Sequence, residues 1–206
     1  MTIYLKTLYW FTFLEEIKNT SDLIKKNYGS SPIQYFVNSS AFLKPEKSLS
    51  QIDKDIVLQH FNVNIIGAML VAKHFTPLLA NPKVSGNPVV WSNLSAKTGS
   101  ISDNGLGGWH SYRISKAALN QLTKTMSVEL GRKGIQVLSL HPGTGTLSVS
   151  LALTNTVDTD LSRLYVKNVQ HEIFSPEKAA ELLFGVMTKT KENGVFLDYA
   201  GKSIPW

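Results

Sequence analysis

The chain contains no cysteine, and this absence excludes several kinds of site at once. With no cysteine among its 206 residues, neither disulfide bonds nor thiolate metal sites can form. The five histidines show no paired ligand spacing such as H-E-x-x-H, so we expect no metal site. A cysteine-free composition suits a reducing compartment, and we therefore expect a cytoplasmic protein.

The chain also lacks any concentrated positive charge, although its net charge is +6. The lysines are scattered, and the densest cluster is Lys25-Lys26. There is no basic stripe with interleaved aromatic residues, so we expect no nucleic-acid partner. The apolar stretch at residues 3–14 is too short to span a membrane, and it lacks the basic start of a signal peptide. We expect no membrane partner.

What the chain does have is a regular alternation of helical and strand patterns within one predicted domain, residues 1–206. The patterns predict helices at 13–27, 53–79, 110–131 and 177–189, and strands at 33–37, 89–94, 136–140 and 195–197. Such alternation predicts an α/β fold with a parallel sheet covered by helices on both faces. Asn62 and Asn64 are poor helix formers, so they predict a local distortion in the second helix.

The stretch Tyr112-Arg113-Ile114-Ser115-Lys116 carries the clearest chemical signal. Tyr112 and Lys116 are one helical turn apart and share a face, and the ammonium is expected to lower the pKa of the phenol. Tyr112 is then a candidate general acid/base. The alternative is an exposed tyrosine beside a solvated lysine. Asn38, Ser95 and residues 141–143 each follow a predicted strand, where ligands bind in parallel sheets.

Several ordered motifs resemble the short-chain dehydrogenase/reductase family, most closely its C-factor-like branch. The motifs are NVNIIGAMLVAKHFTPLL (62–79), NLSAKTGSISDNGLGGWHSYRISKAALNQLTKT (93–125), LHPGT (140–144), VDTDLSR (157–163), FSPEKAA (174–180) and GKSIPW (201–206). The resemblance implies an incomplete Rossmann-like, doubly wound parallel sheet. It also implies an oxidoreductase that transfers hydride between a nicotinamide cofactor and a carbonyl or alcohol.

The resemblance implies a role for each site residue. Tyr112 would exchange a proton with the substrate oxygen, while Lys116 would hold the nicotinamide ribose and lower the pKa of the tyrosine. Asn64 would help to position a water that links Lys116 to solvent. Pro142, Gly143 and Thr144 would line the nicotinamide pocket, and Asn38 would support the sheet and the cofactor.

The family's phosphate-binding turn has no counterpart in this sequence. No Gly-x-x-x-Gly-x-Gly follows a first strand, and the positions that select NAD or NADP are absent with it. NADP is a slightly better expectation than NAD, but a chain without this cradle should bind a dinucleotide poorly, or not at all. The first strands of the parent fold also have no counterpart, so residues 33–37 are expected to form an unpaired edge strand.

The serine of the family's catalytic pattern is displaced in this chain. The family reads Ser-Ser-x-x-Gly, whereas residues 95–99 read Ser-Ala-Lys-Thr-Gly. Ala96 therefore stands at the substrate-binding position. Neighbouring strand residues point to opposite faces, so Ser95 replaces the missing hydroxyl only if the backbone has already turned. Ser100 is a second candidate, and the alternative for Ser95 is a serine that satisfies backbone groups.

A segment at residues 145–156, GTLSVSLALTNT, lies between two family motifs and resembles neither. It falls in the lid over the expected active site, where an added loop would block or reshape substrate access. Its alternating Leu147, Val149 and Leu151 are also compatible with an extra strand.

Three functional hypotheses follow from the sequence. The first is an NAD(P)-dependent carbonyl reductase or alcohol dehydrogenase. The second is a catalytically impaired, truncated isoform that associates with full-length relatives, as a homo- or heterodimer through the helix at 111–131. The third is a chain that does not fold stably, because of its exposed edge and the segment at 145–156.

Overall fold

A computed structural model of the protein describes residues 13–143, 156–157 and 173–206. The helices are α1 (Phe13–Tyr28), α2 (Lys54–Phe61), α3 (Ala68–Phe75), α4 (Pro82–Ser85), α5 (His110–Gly131) and α6 (Pro176–Lys189). The strands are β1 (Tyr35–Asn38), β2 (Val90–Leu94), β3 (Gln136–His141), β4 (Thr156–Val157), β5 (Ile173–Phe174) and β6 (Val195–Asp198). The α/β fold class is therefore confirmed.

The main sheet is parallel and has the strand order β1-β2-β3-β6. One face packs its side chains, including Trp91 and Val137, against α1, α3 and α5. The other face packs Leu138 and Leu140 against α6. Strands β4 and β5 pair in a separate two-stranded parallel sheet. Within the described residues β1 lies at the edge of the main sheet, as the sequence predicts.

The second predicted helix contains the distortion expected from its asparagines. Between α2 and α3 the backbone forms a π-helical segment, Asn62–Gly67. By length and composition the run Lys54–Leu78 is apolar enough to cross a membrane, since an 18-residue window within it has a mean hydropathy of 1.4. A core helix of a folded domain meets the same criterion. Here the run packs against α1 and α5, next to the main sheet.

Local signals placed most helix ends correctly. Ser175 caps α6 by accepting a hydrogen bond from the Lys178 N–H, and α5 has the predicted bounds. The first strand begins later than predicted, because Ile33 forms only an isolated bridge with Leu79. The sequence also missed α4, a single turn capped by Asn81. The predicted extra strand at 147–151 and most of the segment at 145–156 lie outside the described residues.

Candidate active site

The site is built around the first turns of α5, where Tyr112 and Lys116 are buried on the same face. Only 7% of the Tyr112 surface and 1% of the Lys116 surface are exposed. The Lys116 Nζ lies 5.8 Å from the centroid of the Tyr112 ring and donates a hydrogen bond to the Leu94 backbone oxygen at 2.8 Å. The alternative of an exposed tyrosine and a solvated lysine is therefore wrong.

Burial controls the ionisation of both groups. It raises the pKa of the Tyr112 phenol above its ordinary value of 10, because the phenolate loses its hydration. It lowers the pKa of Lys116 to about 8 for the same reason. The expectation from the sequence that the lysine charge lowers the pKa of Tyr112 is therefore wrong for this structure, because desolvation raises that pKa.

Asn64 lies in the π-helical segment, fully buried beneath the start of α5. Its Nδ2 donates to the Phe42 oxygen at 3.0 Å and to Ser115 Oγ at 2.8 Å. Its Oδ1 accepts from the Phe42 N–H at 2.7 Å. Ser115 Oγ in turn donates to the backbone oxygen of Tyr112 at 2.8 Å. The side chain of Asn64 thus joins three segments: the π-helical turn, the loop after β1 and the first turns of α5.

Asn38 lies at the carboxyl end of β1 and bonds to Asn93 on β2. Its Nδ2 donates to Asn93 Oδ1 at 3.2 Å, and its Oδ1 accepts from the Ser40 N–H at 3.3 Å. Asn93 also accepts from Trp91 Nε1 and donates to Thr123 Oγ1 on α5. A buried amide network therefore fixes the strand ends beneath α5. The sequence indicated Asn38 but not Asn93, which has no distinctive local signal.

Ala96, the position that lacks the family's serine, and the two candidate serines are placed differently. Ser95 is buried, and its Oγ has no hydrogen-bond partner within the described part of the chain. Ala96 begins a 3-10 turn and is also buried. Ser100 Oγ accepts a hydrogen bond from the Asp103 N–H at 3.1 Å, so this hydroxyl already closes a turn. Of the two serines, Ser95 is the one whose hydroxyl has no hydrogen-bond partner in the described residues.

The end of β3 brings the predicted pocket residues next to Ser95. The Ser95 N–H donates to the Leu140 oxygen at 2.8 Å, so the chain continues past β2 alongside His141. Pro142 and Gly143 are half-buried, and Gly143 has a φ of 106°, which favours glycine. His141 is buried, and burial together with the charge of Lys97 lowers its pKa to about 3. Thr144 lies outside the described residues.

Three residues around Tyr112 were missed in the sequence analysis. The Trp109 and His60 rings each meet the Tyr112 ring edge-on, with centroids 6.1 Å apart. Burial lowers the pKa of His60; its Nε2 accepts from the Lys44 N–H, and its Nδ1 lies 2.8 Å from the Ile56 oxygen. Glu46 bonds to Ser111 at the start of α5. His60 and Glu46 are distant from Tyr112 in the chain, so only the fold brings them to it, whereas Trp109 lies three residues before Tyr112.

The residues present fit one end of a nicotinamide dinucleotide better than the other. An ammonium and an unpartnered hydroxyl, those of Lys116 and Ser95, lie at the carboxyl ends of the strands. In contrast, the described ranges contain no Gly-x-x-x-Gly-x-Gly turn between a strand and a helix. The nicotinamide end therefore has candidate partners, and the pyrophosphate cradle does not.

Sequence comparisons agree with this architecture. A family model described as Enoyl-(Acyl carrier protein) reductase matches residues 12–184. An uncharacterized oxidoreductase of Saccharomyces cerevisiae is 30% identical, over 91% of this chain and 71% of that protein. An uncharacterized oxidoreductase of Schizosaccharomyces pombe is 26% identical, over 82% and 65%. C-signal of Myxococcus xanthus is 25% identical, over 87% and 96%. The chain thus spans about two thirds of the length of the first two relatives.

Solved structures show the same fold. NADPH-bound carbonyl reductase from chicken fatty liver has a TM-score of 0.77 and 24% identity, covering 94% of this chain and 73% of that one. Carbonyl reductase Sniffer of Drosophila melanogaster has a TM-score of 0.74 and 24% identity, covering 95% and 73%. These likenesses confirm the predicted Rossmann-like, parallel α/β architecture.

Proposed function

The chain belongs to the short-chain dehydrogenase/reductase family, and we propose from this premise that its site transfers hydride between a nicotinamide cofactor and a carbonyl or alcohol substrate. The observation that supports the proposal most is the joint burial of Tyr112 and Lys116 at the start of α5, beside the carboxyl ends of the strands. A bound nicotinamide supplies or accepts the hydride. The protein groups bind and orient the cofactor and the substrate, and they exchange the proton with the substrate oxygen.

In this proposal Tyr112 is the general acid/base. Its pKa is raised by burial, so the phenol is protonated near neutral pH and is ready to donate its proton to a carbonyl oxygen. Lys116 bonds to Leu94 through one of its donors, and a protonated ammonium has three. The remaining donors are available to a ribose hydroxyl, which is the role that the resemblance assigns to Lys116.

The remaining predicted site residues have supporting roles in the same proposal. Ser95 offers an unpartnered hydroxyl for the substrate oxygen, in place of the serine that is absent at Ala96. The Oδ1 and Nδ2 atoms of Asn64 are already bonded to Phe42 in the loop after β1 and to Ser115 on α5. A relay water at Asn64 would therefore have to bond to backbone groups of the π-helical turn. The other residues proposed to contact the cofactor are Asn38, Pro142, Gly143 and Thr144.

We propose NADP as the cofactor in preference to NAD. The support comes from neighbouring structures of similar fold, two of which are described as bound to NADP and one as bound to NADPH. The chain itself contributes no residue that distinguishes the two. The test is a titration of purified protein with NADPH, followed by the cofactor's fluorescence, with NADH in parallel. If neither binds at high micromolar protein, the oxidoreductase proposal fails for this chain.

A second candidate function is association with a second copy or a full-length relative. The observation in its favour is a set of exposed apolar side chains on α5 and on the helical run that contacts it. Ile66, Met69, Ile114 and Val128 are each about half exposed. Burying such side chains between two subunits would remove apolar surface from contact with water, which favours association. This association does not require cofactor binding, so a chain that binds no cofactor could still have this function.

Light scattering tests the association. We expect a dimer that becomes monomeric when Met69 is replaced by Glu. Val84, which is 83% exposed on α4, provides the control, and Val84→Glu should leave the mass unchanged. A monomeric wild-type chain that also fails to co-purify with a full-length relative would refute this function. A single sharp thermal transition in the same sample would support one folded domain over residues 1–206 and would contradict the hypothesis of an unstable chain.

A further inference from the structure

Trp109, the residue immediately before α5, has a strained backbone. It is the one non-glycine residue with a positive φ, 55°, in the described part of the chain. Gly107 and Gly108 precede it with φ of 65° each. Glycine adopts this left-handed region freely, whereas a tryptophan there is uncommon and strained. Such a conformation persists only where surrounding contacts enforce it.

The helix that follows Trp109 has no cap of its own. Trp109 occupies the N-cap position, but its side chain makes no capping hydrogen bond. The carboxylate of Glu46 takes over this task from 65 residues upstream: Oε2 accepts from the Ser111 N–H at 3.3 Å, and Oε1 accepts from Ser111 Oγ. The backbone oxygen of Glu46 also accepts from the Trp109 N–H at 2.7 Å. A carboxylate at this end of a helix is favourable because of the helix dipole.

Glu46 can enforce the turn because its own loop is also anchored to the helical run Lys54–Leu78. Asn64 binds both the N–H and the oxygen of Phe42, and His60 accepts from the Lys44 N–H at 3.2 Å. These two anchors fix the loop four and two residues before Glu46. The side chain of Glu46 is 4% exposed, so water does not compete for its hydrogen bonds.

Arg113 holds the turn from the opposite side. Its Nε donates to the Gly108 oxygen at 3.0 Å, and its Nη1 donates to the Thr98 oxygen at 3.2 Å. The backbone on both sides of Trp109 is therefore bonded to groups outside the turn. The turn is thus enforced by contacts from two separate loops.

We infer that Glu46 is a positioning residue of the candidate site, whose buried carboxylate caps α5 from a distance and, with Arg113, keeps Trp109 left-handed beside Tyr112. Without Glu46, the first turn of α5 relaxes, and the Trp109 and Tyr112 rings leave the edge-on arrangement at 6.1 Å. The relevance of Tyr112 rests on the proposed function, but the structural coupling of Glu46 to Trp109 does not.

Near-ultraviolet circular dichroism of single and double variants tests this inference without any need for turnover. We expect Glu46→Ala to change the tryptophan signal and to lower the melting temperature. Glu46→Gln should remain close to wild type, since its amide can accept from the Ser111 N–H and donate to Ser111 Oγ. In a Trp109→Phe background, Glu46→Ala should no longer change the tryptophan signal, because the reporting indole is gone.

Asp53→Ala is the matched control, because Asp53 caps α2 by accepting from the Asp55 and Ile56 N–H groups. It should lower the melting temperature by about 2–4 °C and leave the tryptophan signal unchanged. If Glu46→Ala fails to fold, Ser111→Ala removes the hydrogen bond between Ser111 Oγ and Glu46 and should give a smaller change in the same signal.

The inference is overturned if the signal is unaltered in the folded variants, or if the change persists without Trp109. It is also overturned if Glu46→Gln behaves like Glu46→Ala. An inactive chain would leave all of these outcomes measurable.

Discussion

Lys116 on α5 donates a hydrogen bond from Nζ to the backbone oxygen of Leu94, 2.8 Å away at the end of β2. This bond joins the candidate catalytic helix to the sheet through a side chain that is 1% exposed. A lysine in this position must either keep its charge without water or release its proton. The pH dependence of stability therefore reports directly on the site.

We expect the free energy of unfolding to rise with pH between about 8 and 10, because burial lowers the pKa of Lys116 to about 8 from its ordinary value of 10.5. In that interval the unfolded chain keeps the proton that the folded chain has released. Because the unfolded state binds more protons, the folded state becomes relatively more stable as pH rises. The full rise is on the order of 3 kcal/mol. Chemical denaturation at several pH values measures it.

Lys116→Met should remove most of this rise, whereas Lys73→Met, at an exposed position on α3, should retain it. Measurements are best kept below pH 10. Above that value the phenol of Tyr112 loses its proton first in the unfolded chain, because burial raises its pKa in the folded one, and stability then falls with pH. An equal slope in wild type and Lys116→Met would contradict the prediction.

Gly99→Ala should destabilise the protein through a direct clash with Lys116. A methyl group at Gly99 would lie 2.7 Å from Lys116 Cβ and 2.9 Å from its backbone carbon, and neither can move without shifting α5. We expect a loss of about 1–3 kcal/mol. Gly105 has open space at the same position, so Gly105→Ala should change stability by less than about 0.5 kcal/mol. Urea denaturation compares the two; similar values would be evidence against the close approach.

Asn64→Ala should cost about 2–4 kcal/mol, because it removes three hydrogen bonds, to Phe42 and Ser115, from a fully buried side chain. Asn62 lies in the same π-helical segment with its side chain exposed. Asn62→Ala is therefore the control and should be nearly neutral. Thermal and urea unfolding of both variants measure the difference. A small cost at Asn64 would mean that the loop after β1 is held by other contacts.

Tyr112→Phe should reduce carbonyl reduction by about 10²–10⁴-fold, the usual contribution of a general acid/base. Phenylalanine keeps the ring contacts with His60 and Trp109 but has no proton to donate. Cofactor affinity should therefore remain unchanged, as measured by NADPH fluorescence. His110→Ala, at the half-buried first residue of α5, is the control and should retain activity. Substantial activity of Tyr112→Phe would exclude Tyr112 as the acid.

Features that depend on neighbouring residues were predictable from the sequence. The bounds of α5, the cap of α6 at Ser175 and the distortion at Asn62–Gly67 follow from local propensity and hydrogen-bonding chemistry. The pairing of Tyr112 with Lys116 follows from helical periodicity. The motifs also indicated the family, which the matching family model then established.

Features that depend on burial were not predictable. The sequence places a cation one turn from Tyr112 and therefore predicted a lowered pKa. The structure buries the phenol, and desolvation raises that pKa instead. Likewise, nothing near Glu46 indicates that it caps a helix 65 residues away. The Ser95 hydroxyl has no hydrogen-bond partner in the described residues, whereas the Ser100 hydroxyl accepts from the Asp103 N–H. This difference depends on which hydroxyl closes the turn at 97–103.

The sequence by itself determined the alternating α/β order, the position of each long helix and the family, since these depend on periodicity and on motifs that are local in the chain. Only the tertiary structure decided how the site is held: Lys116 to Leu94, Asn64 to Phe42 and Glu46 to Ser111. The physical reason is that desolvation and long-range hydrogen bonds depend on which residues are brought together by folding. No single segment of the chain contains that information.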